Sequence, residues 1–247
     1  MLIISIKVTM KYDTIIPIGA NCRVAQALRD LKLRQAAFPL DWTLNSAQAV
    51  LALFKSDFDN FFSSASCQEK VTTSQKGKNY PWVLNTQYQI GLMHEHHWSE
   101  ERVITYQNRI NALQQSLNAD RVLLIRWDMK APFHNDPTHA EHEKRDTDFF
   151  EQEDSIAHCY ALKDLCNEKY SGKIDLLIFH ADEIKEQDKR PDVCYHHIDF
   201  STAKTKGKVK EWDRTAIKEA LIALDIQLEN PITELSRFAK MRSYFSR

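Results

Sequence analysis

Two almost unbroken apolar runs, RVLLIRW at residues 121–127 and IDLLIFH at residues 174–180, constrain this chain more than any other feature. A strand with one solvated face alternates apolar and polar residues. A strand covered on both faces does not, so runs of this kind belong inside a sheet with helices on either side. Between them lies a helical stretch, capped at Asp154 or Ser155, running to about Tyr170 and ended by Gly172. The start of the chain shows the same grammar. TIIPI at 14–18 is a short β-branched run, Gly19 punctuates it, and Asn21 can cap a helix from Cys22 to about Leu31 with Val24, Leu28 and Leu31 on one face.

Further helices are predicted from a cap at Ser46 to about Phe54, and from Ser99 to about Asn118, where Val103, Tyr106, Ile110, Leu113 and Leu117 form a buried stripe. Another covers 214–226, with Ile217, Ala220, Leu221 and Leu224 inward. VCYHHIDF at 193–200 reads as a further strand, and PWVLN with QYQIGLM, within 80–93, as a hairpin or a pair of short strands. The aromatic DFDNFF at 57–62 packs its rings beneath a loop, and the polar stretch 63–79 reads as an exposed loop. This order predicts an α/β fold: a mostly parallel sheet between helical layers, a Rossmann-like three-layer sandwich. No Pro/Gly/Ser-rich linker divides the 247 residues, and 43% of them are hydrophobic, so a single domain over 1–247 is expected. Residues 1–11 read as an N-terminal extension, with Met10 as an alternative start or 3–8 as an extra edge strand. Residues 129–153 read as a charged surface excursion, and 231–247 as a C-terminal tail.

The formal net charge is −1 with acids and bases interspersed, which argues against a nucleic-acid partner. KTKGKVK at 204–210 is a solvated loop by composition. MLIISIKV at 1–8 is too short to span a bilayer, so no membrane span is expected. Five cysteines at scattered spacing, with no CxxC, suggest reduced thiols and a cytoplasmic setting. No nucleotide- or phosphate-binding glycine motif and no GxSxG occurs, and no cofactor is implied. The sequence leaves the oligomeric state open.

The first turn of the helix after Gly19 would place the Cys22 thiol beside orphan N–H groups and the positive end of the helix dipole, with Arg23 adding charge. That environment favours thiolate, the nucleophilic form. A buried cysteine also serves simply to fill space, and both readings stand on sequence. Acyl transfer by a thiolate needs an imidazole and a polar group to orient it. His94 follows the strand-like QIGLM, and strand ends meet at one edge of a parallel sheet; His96 and His97 are substitutes. Asp41 is the candidate orienting acid, with Asp128 as its substitute. Metal binding is a weaker reading: His94, Glu95, His96 and His97, and separately His134, Asp136, His139, Glu141, His142 and Glu143, supply ligand types but match no zinc motif.

The succession Gly19 and Cys22 in IGANC, then Leu33, Arg34, Pro39, Asp41 and Trp42 in LRQAAFPLDW, then His94, Arg109 and Arg126, resembles a bacterial and viral family described as "putative papain-like cysteine peptidase" and otherwise of unknown function. Leu40 stands where that family usually has Phe. The resemblance covers about residues 12–225. It implies a thiol protease or related hydrolase in which Cys22 attacks a carbonyl, His94 moves the proton, Asp41 orients His94, and the N–H of Cys22 or Arg23 holds the oxyanion. The substrate would be a peptide or other acyl compound. A papain-like label implies an α+β fold, whereas the alternation of elements implies α/β. The alternative is a sugar- or nucleotide-sugar-binding protein or transferase linked to surface polysaccharide assembly, taking a phosphorylated or sugar ligand. There Gly19, Asn21, Arg23 and the helix start would hold an anion with Arg109 and Arg126, Trp42 would line the pocket, and Cys22 would be structural.

Overall fold

The computed structural model of the protein describes residues 9–73, 79–128, 156–180, 184–198 and 212–231. The stretch 1–8, the expected excursion at 129–153 and the tail beyond residue 231 lie outside these residues. The strands are β1 (Met10–Tyr12), β2 (Thr14–Pro17), β3 (Thr43–Leu44), β4 (Cys67–Thr73), β5 (Asn79–Asn85), β6 (Ile90–Leu92), β7 (Arg121–Asp128), β8 (Lys173–His180), β9 (Cys194–His197) and β10 (Ile226–Leu228). The helices are α1 (Arg23–Asp30), α2 (Ala47–Lys55), α3 (Glu100–Ser116), α4 (Ile156–Lys169) and α5 (Trp212–Ala223).

The two apolar runs are β7 and β8, paired in parallel along their whole length, Arg121 opposite Lys173 and Asp128 opposite His180. β2 and β9 flank them in the parallel order β2-β7-β8-β9. Successive side chains point to opposite faces. Ile15, Leu123, Ile125, Leu177 and Phe179 join a buried cluster with Val24 and Leu28 of α1 and Ile217 and Leu221 of α5. Ile16, Val122, Leu124, Leu176 and Ile178 join a second cluster with residues of α2, α3 and α4. Each such side chain contributes about 2 kcal/mol by leaving water. Asp30, at the end of α1, accepts a hydrogen bond from Arg214 Nε of α5 at 2.7 Å.

The protein is therefore mixed α/β, but not one mostly parallel sheet. Four of the ten described strands form a separate antiparallel sheet, β3-β6-β5-β4, whose Val83, Ile90 and Leu92 share the second cluster. The 63–79 stretch is not simply an exposed loop, because β4 lies in it and pairs with β5, Cys67 opposite Asn85. The polar sequence of β4 hides a strand because β4 is an edge strand, most of its residues half-buried or exposed. Its inner edge is hydrogen-bonded to β5, and Thr72 Oγ1 accepts from Trp82 Nε1 at 3.1 Å.

Serine caps fall where the sequence places them. Ser46 Oγ accepts from the Ala49 amide at 3.1 Å and Ser99 Oγ from the Arg102 amide at 3.3 Å. Asn21 Oδ1 accepts from the Arg23 amide at 2.9 Å, so α1 begins one residue later than expected and Cys22 is its N-cap residue. α5 ends at Ala223 rather than near residue 226; Asp225 adopts a φ of +52°, and Ile226 opens β10, which pairs with β1. Among the described residues, no helix is long and apolar enough to cross a membrane.

Candidate functional site

The site begins where β2 runs out. Its pairing with β7 continues past Pro17: the Ile18 amide donates to Ile125 O, the Trp127 amide to Gly19 O, and the Ala20 amide to Trp127 O. Gly19 has a φ of +96°, and a Cβ there would stand 2.2 Å from Asn45 Oδ1, so both conformation and space require glycine. The Gly19–Ala20 peptide is cis. Arg126 Nη1 donates to Ile18 O at 2.9 Å and to Asn45 Oδ1 at 2.8 Å, and Nη2 donates to Asn45 O at 3.2 Å. At 1% exposed, Arg126 braces this turn from within. It does not present a fork to a ligand, as the anion-binding reading required.

Cys22 is half-buried at the start of α1. Its Sγ accepts a hydrogen bond from Gln26 Nε2 at 3.4 Å, and Gln26 Oε1 accepts from Arg23 Nη1 at 3.3 Å. The guanidinium can only donate, which turns the amide N–H₂ toward the sulfur. The Arg23 amide is engaged by Asn21 and is not available to an oxyanion. Burial pushes the Cys67 and Cys194 thiols up, and the Cys166 thiol up to about 12. All five cysteines are free.

His94 reaches this region by a route the sequence did not suggest. It lies in the turn after β6, which belongs to the antiparallel sheet, so its place is not a strand end of the parallel one. The segment 43–45 stitches the two sheets together: Ala20 pairs antiparallel with Asn45, and Thr43 pairs antiparallel with Leu92. Cys22 lies two residues beyond Ala20 and His94 two beyond Leu92. Both chains leave these pairs toward the Trp42 end of β3, one then entering α1 at Cys22 and the other the turn that holds His94. The exposed His94 ring packs edge-on to Trp42, with centroids 5.2 Å apart. Over the same indole lie the guanidinium carbons of Arg29, at 5.6 Å, and Arg34, at 5.7 Å.

Asp41 is fully buried, and its partners are Arg34 and the Phe38 amide, the latter at 2.9 Å, both on Oδ2; Oδ1 accepts no hydrogen bond. Burial raises its carboxyl above the ordinary value, opposed by Arg34 and, more weakly, by the charge of Arg109. Asp41, the expected orienting acid, thus forms an ion pair with Arg34 that braces the loop carrying Trp42. Arg109 itself lies over the Tyr106 ring at 4.9 Å. His96 and His97 are exposed beside His94, and Asp128 ends β7.

Sequence reasoning missed three residues that hold the site. Gln26 stands at helical i+4 spacing from Cys22, a signal that was present. Glu95 is buried next to His94, where its oxygens take the Tyr106 hydroxyl at 3.1 Å and Arg102 Nε at 2.9 Å, anchoring the His94 turn to α3. Asn45 donates locally to Thr43 Oγ1 at 2.7 Å, but its role was hidden because its other partners, Ala20 and Arg126, are distant in sequence. Among the described residues, no group of three or more His, Cys, Asp or Glu could hold a metal ion; His134, His139 and His142 lie outside them.

A half-buried thiol at a helix start, on the carboxyl edge of a parallel sheet stitched to a histidine-bearing antiparallel one, defines a mixed α/β protein with a candidate thiol centre. Residues 13–143, which are 131 of the 247, match the family described as "putative papain-like cysteine peptidase", and the chain belongs to that family. The matched span contains every candidate site residue from Gly19 to Arg126, and ends before α4, β8, β9 and α5. No curated protein and no solved structure matches the chain.

Proposed function

We propose that the protein is a cysteine-dependent acyl hydrolase acting on a peptide or related acyl substrate. Cys22 thiolate adds to the carbonyl carbon, and His94 gives a proton to the leaving amine or alcohol as the tetrahedral intermediate collapses to a thioester. Water, losing a proton to His94, then releases the acid and restores the Cys22 thiolate beside a protonated His94. The Cys22 N–H and the Gln26 side-chain amide are the oxyanion donors in this scheme. Asp41 acts on His94 indirectly, through the Trp42 loop it braces. The observation that carries the reading is the double pairing of segment 43–45, which holds Ala20, two residues before Cys22, and Leu92, two residues before His94, on the two sides of one strand, about 10 Å apart across it at two strand spacings. A thiol and an imidazole can meet across that gap. The five free cysteines favour a reducing, cytoplasmic compartment. We further read the parallel half with its helices as a Rossmann-like sandwich, and the whole chain as one domain. The nucleotide-sugar alternative loses Arg126 to the interior.

Timed alkylation with iodoacetamide at pH 7, read by peptide mass spectrometry, is the test. Cys22 is expected to react at least about tenfold faster than Cys67, Cys166 or Cys194, whose thiols burial suppresses. Hydrolysis of a peptidyl thioester should vanish in Cys22→Ser and fall roughly 100-fold or more in His94→Ala. Equal labelling of Cys22 and the buried cysteines overturns the proposal.

A further inference from the structure

Arg29 is the one feature beside Cys22 that the reading above leaves without a task. It is exposed, on the helix face that carries Cys22 and Gln26: seven residues separate Cys22 from Arg29, two turns of helix to within about 20°, at about 10 Å along the axis. The neighbouring charges are accounted for. Asp30 is held by Arg214 and Lys218 of α5, and Asp41 by Arg34. Arg34 touches the same indole as Arg29, but its charge is committed to the interior. Among the described residues no carboxylate lies within 4 Å of the Arg29 guanidinium, and Trp42 holds it over the ring at 5.6 Å. The exposed His94 ring packs against that same indole, with centroids 5.2 Å apart.

A guanidinium parked on an indole is restrained and partly desolvated while its N–H donors remain available, which suits bidentate capture of a carboxylate. An extended peptide advances about 3.3 Å per residue, so the span of about 10 Å along the helix axis between backbone positions 22 and 29 corresponds to roughly three residues of a bound peptide. We propose that Arg29, held by Trp42, is a subsite for a carboxylate on an acyl substrate, selecting peptides with an acidic side chain about three residues from the reacting carbonyl. This rests on the assignment of Cys22 as the nucleophile and adds the substrate class. Catalysis would leave Arg29 untouched; its part is recognition.

Binding is measured on the full chain carrying Cys22→Ala, so that no turnover is needed. Fluorescein-labelled peptide series, with Glu, Gln, Lys or phosphoserine walked along an otherwise neutral sequence, are titrated by anisotropy. The Glu peptide of best register is expected to bind about tenfold more tightly than its Gln counterpart, with Lys weaker still. Arg29→Gln should erase the Glu preference without weakening the Gln peptide. Arg29→Lys should recover only part of it, because an ammonium lacks the planar fork. Equal affinity for Glu and Gln at every register, no measurable binding of any peptide, a phosphoserine peptide binding more tightly than the Glu peptide, or a Glu preference that survives Arg29→Gln each overturns the subsite. Its failure is separable from that of the hydrolase reading, which stands or falls on the alkylation rate of Cys22 in the unmodified protein.

Discussion

Replacing Gly19 by alanine should be among the most damaging single changes available to this chain. The residue is held at a φ of +96°, and a Cβ would press within 2.2 Å of Asn45 Oδ1, whose own position is fixed by Arg126. Strain and displacement together are expected to cost about 3 kcal/mol, read as a lowered urea midpoint with an unchanged slope. A midpoint shift below about 0.5 kcal/mol in equivalent terms would mean that the turn is pliable. The Arg34–Asp41 pair allows a second test, in which the sign of the pH effect matters. Burial holds the Asp41 carboxyl above its ordinary value, so the folded chain keeps that proton longer than the unfolded chain does. Its contribution is complete below the unfolded value and is lost as pH rises through the folded one. Arg34→Met removes the charge that opposes this rise, leaving Asp41 to ionise unpaired in the interior. The loss is expected at roughly 3 kcal/mol at pH 7 and to be clearly smaller at pH 4. Equal losses at the two pH values would count against a charged Asp41. At this scale the sequence exposed Gly19, Cys22 and Asp41 as residues. It did not show that Asp41 serves Arg34 rather than His94, because the choice between two partners is made by tertiary approach.

Elements were legible where their signal was local and hidden where it was shared. The caps of α2 and α3 and the runs of β7 and β8 were plain, each resting on residues within a few positions. β4 was hidden because an edge strand draws its order from β5 and shows no apolar alternation. The placement of His94 on an antiparallel sheet was hidden for the same reason. The docking of β9 on α4 offers an acid-sensitive test. Arg190, just ahead of β9, donates to Asp192 Oδ1 at 2.9 Å and Oδ2 at 2.7 Å and to Asp164 of α4 at 2.7 Å, while Lys163 of α4 also binds Asp192. The bonds from Arg190, and then Lys163, hold the Asp192 carboxyl well below its usual range. Here the unfolded chain takes up the proton first, so stability is present above the ordinary carboxyl value and is lost as pH falls toward the folded one. Asp192 is half-exposed, so Asp192→Asn should cost less than about 1 kcal/mol at pH 7. Thermal melts from pH 7 down to pH 2 should show the variant and parent converging below about pH 4. A constant offset across that range would assign the clamp to packing alone.

At the scale of the molecule, the family match and the core do not share a boundary. The matched span stops at residue 143, yet β7 within it is covered by β8 along eight residue pairs, and α1, the helix that Cys22 caps, rests on α5 through Asp30 and Arg214. Both clusters run through β7 and β8, because alternate residues of the same strands supply each one. The antiparallel sheet joins the same second cluster and is tied to β2 through Ala20 and Asn45. The absence of a linker hinted at elements packed together, but the pairing of Thr14 with Val122 spans more than a hundred residues and leaves no local trace. Elements interleaved in this way should unfold together. The intact chain is expected to melt in one transition with matching calorimetric and van't Hoff enthalpies, whereas two resolved transitions would make the sheets separate domains. A fragment ending at residue 143 keeps every candidate site residue but leaves β7 an uncovered edge, exposing apolar side chains that β8 and α5 normally bury. It should lose near-ultraviolet circular dichroism, bind the dye ANS, and alkylate Cys67 as fast as Cys22. A fragment that instead retains fast, selective Cys22 alkylation would show that the thiol centre is built by its first 143 residues alone, with the later strands and helices dispensable to it.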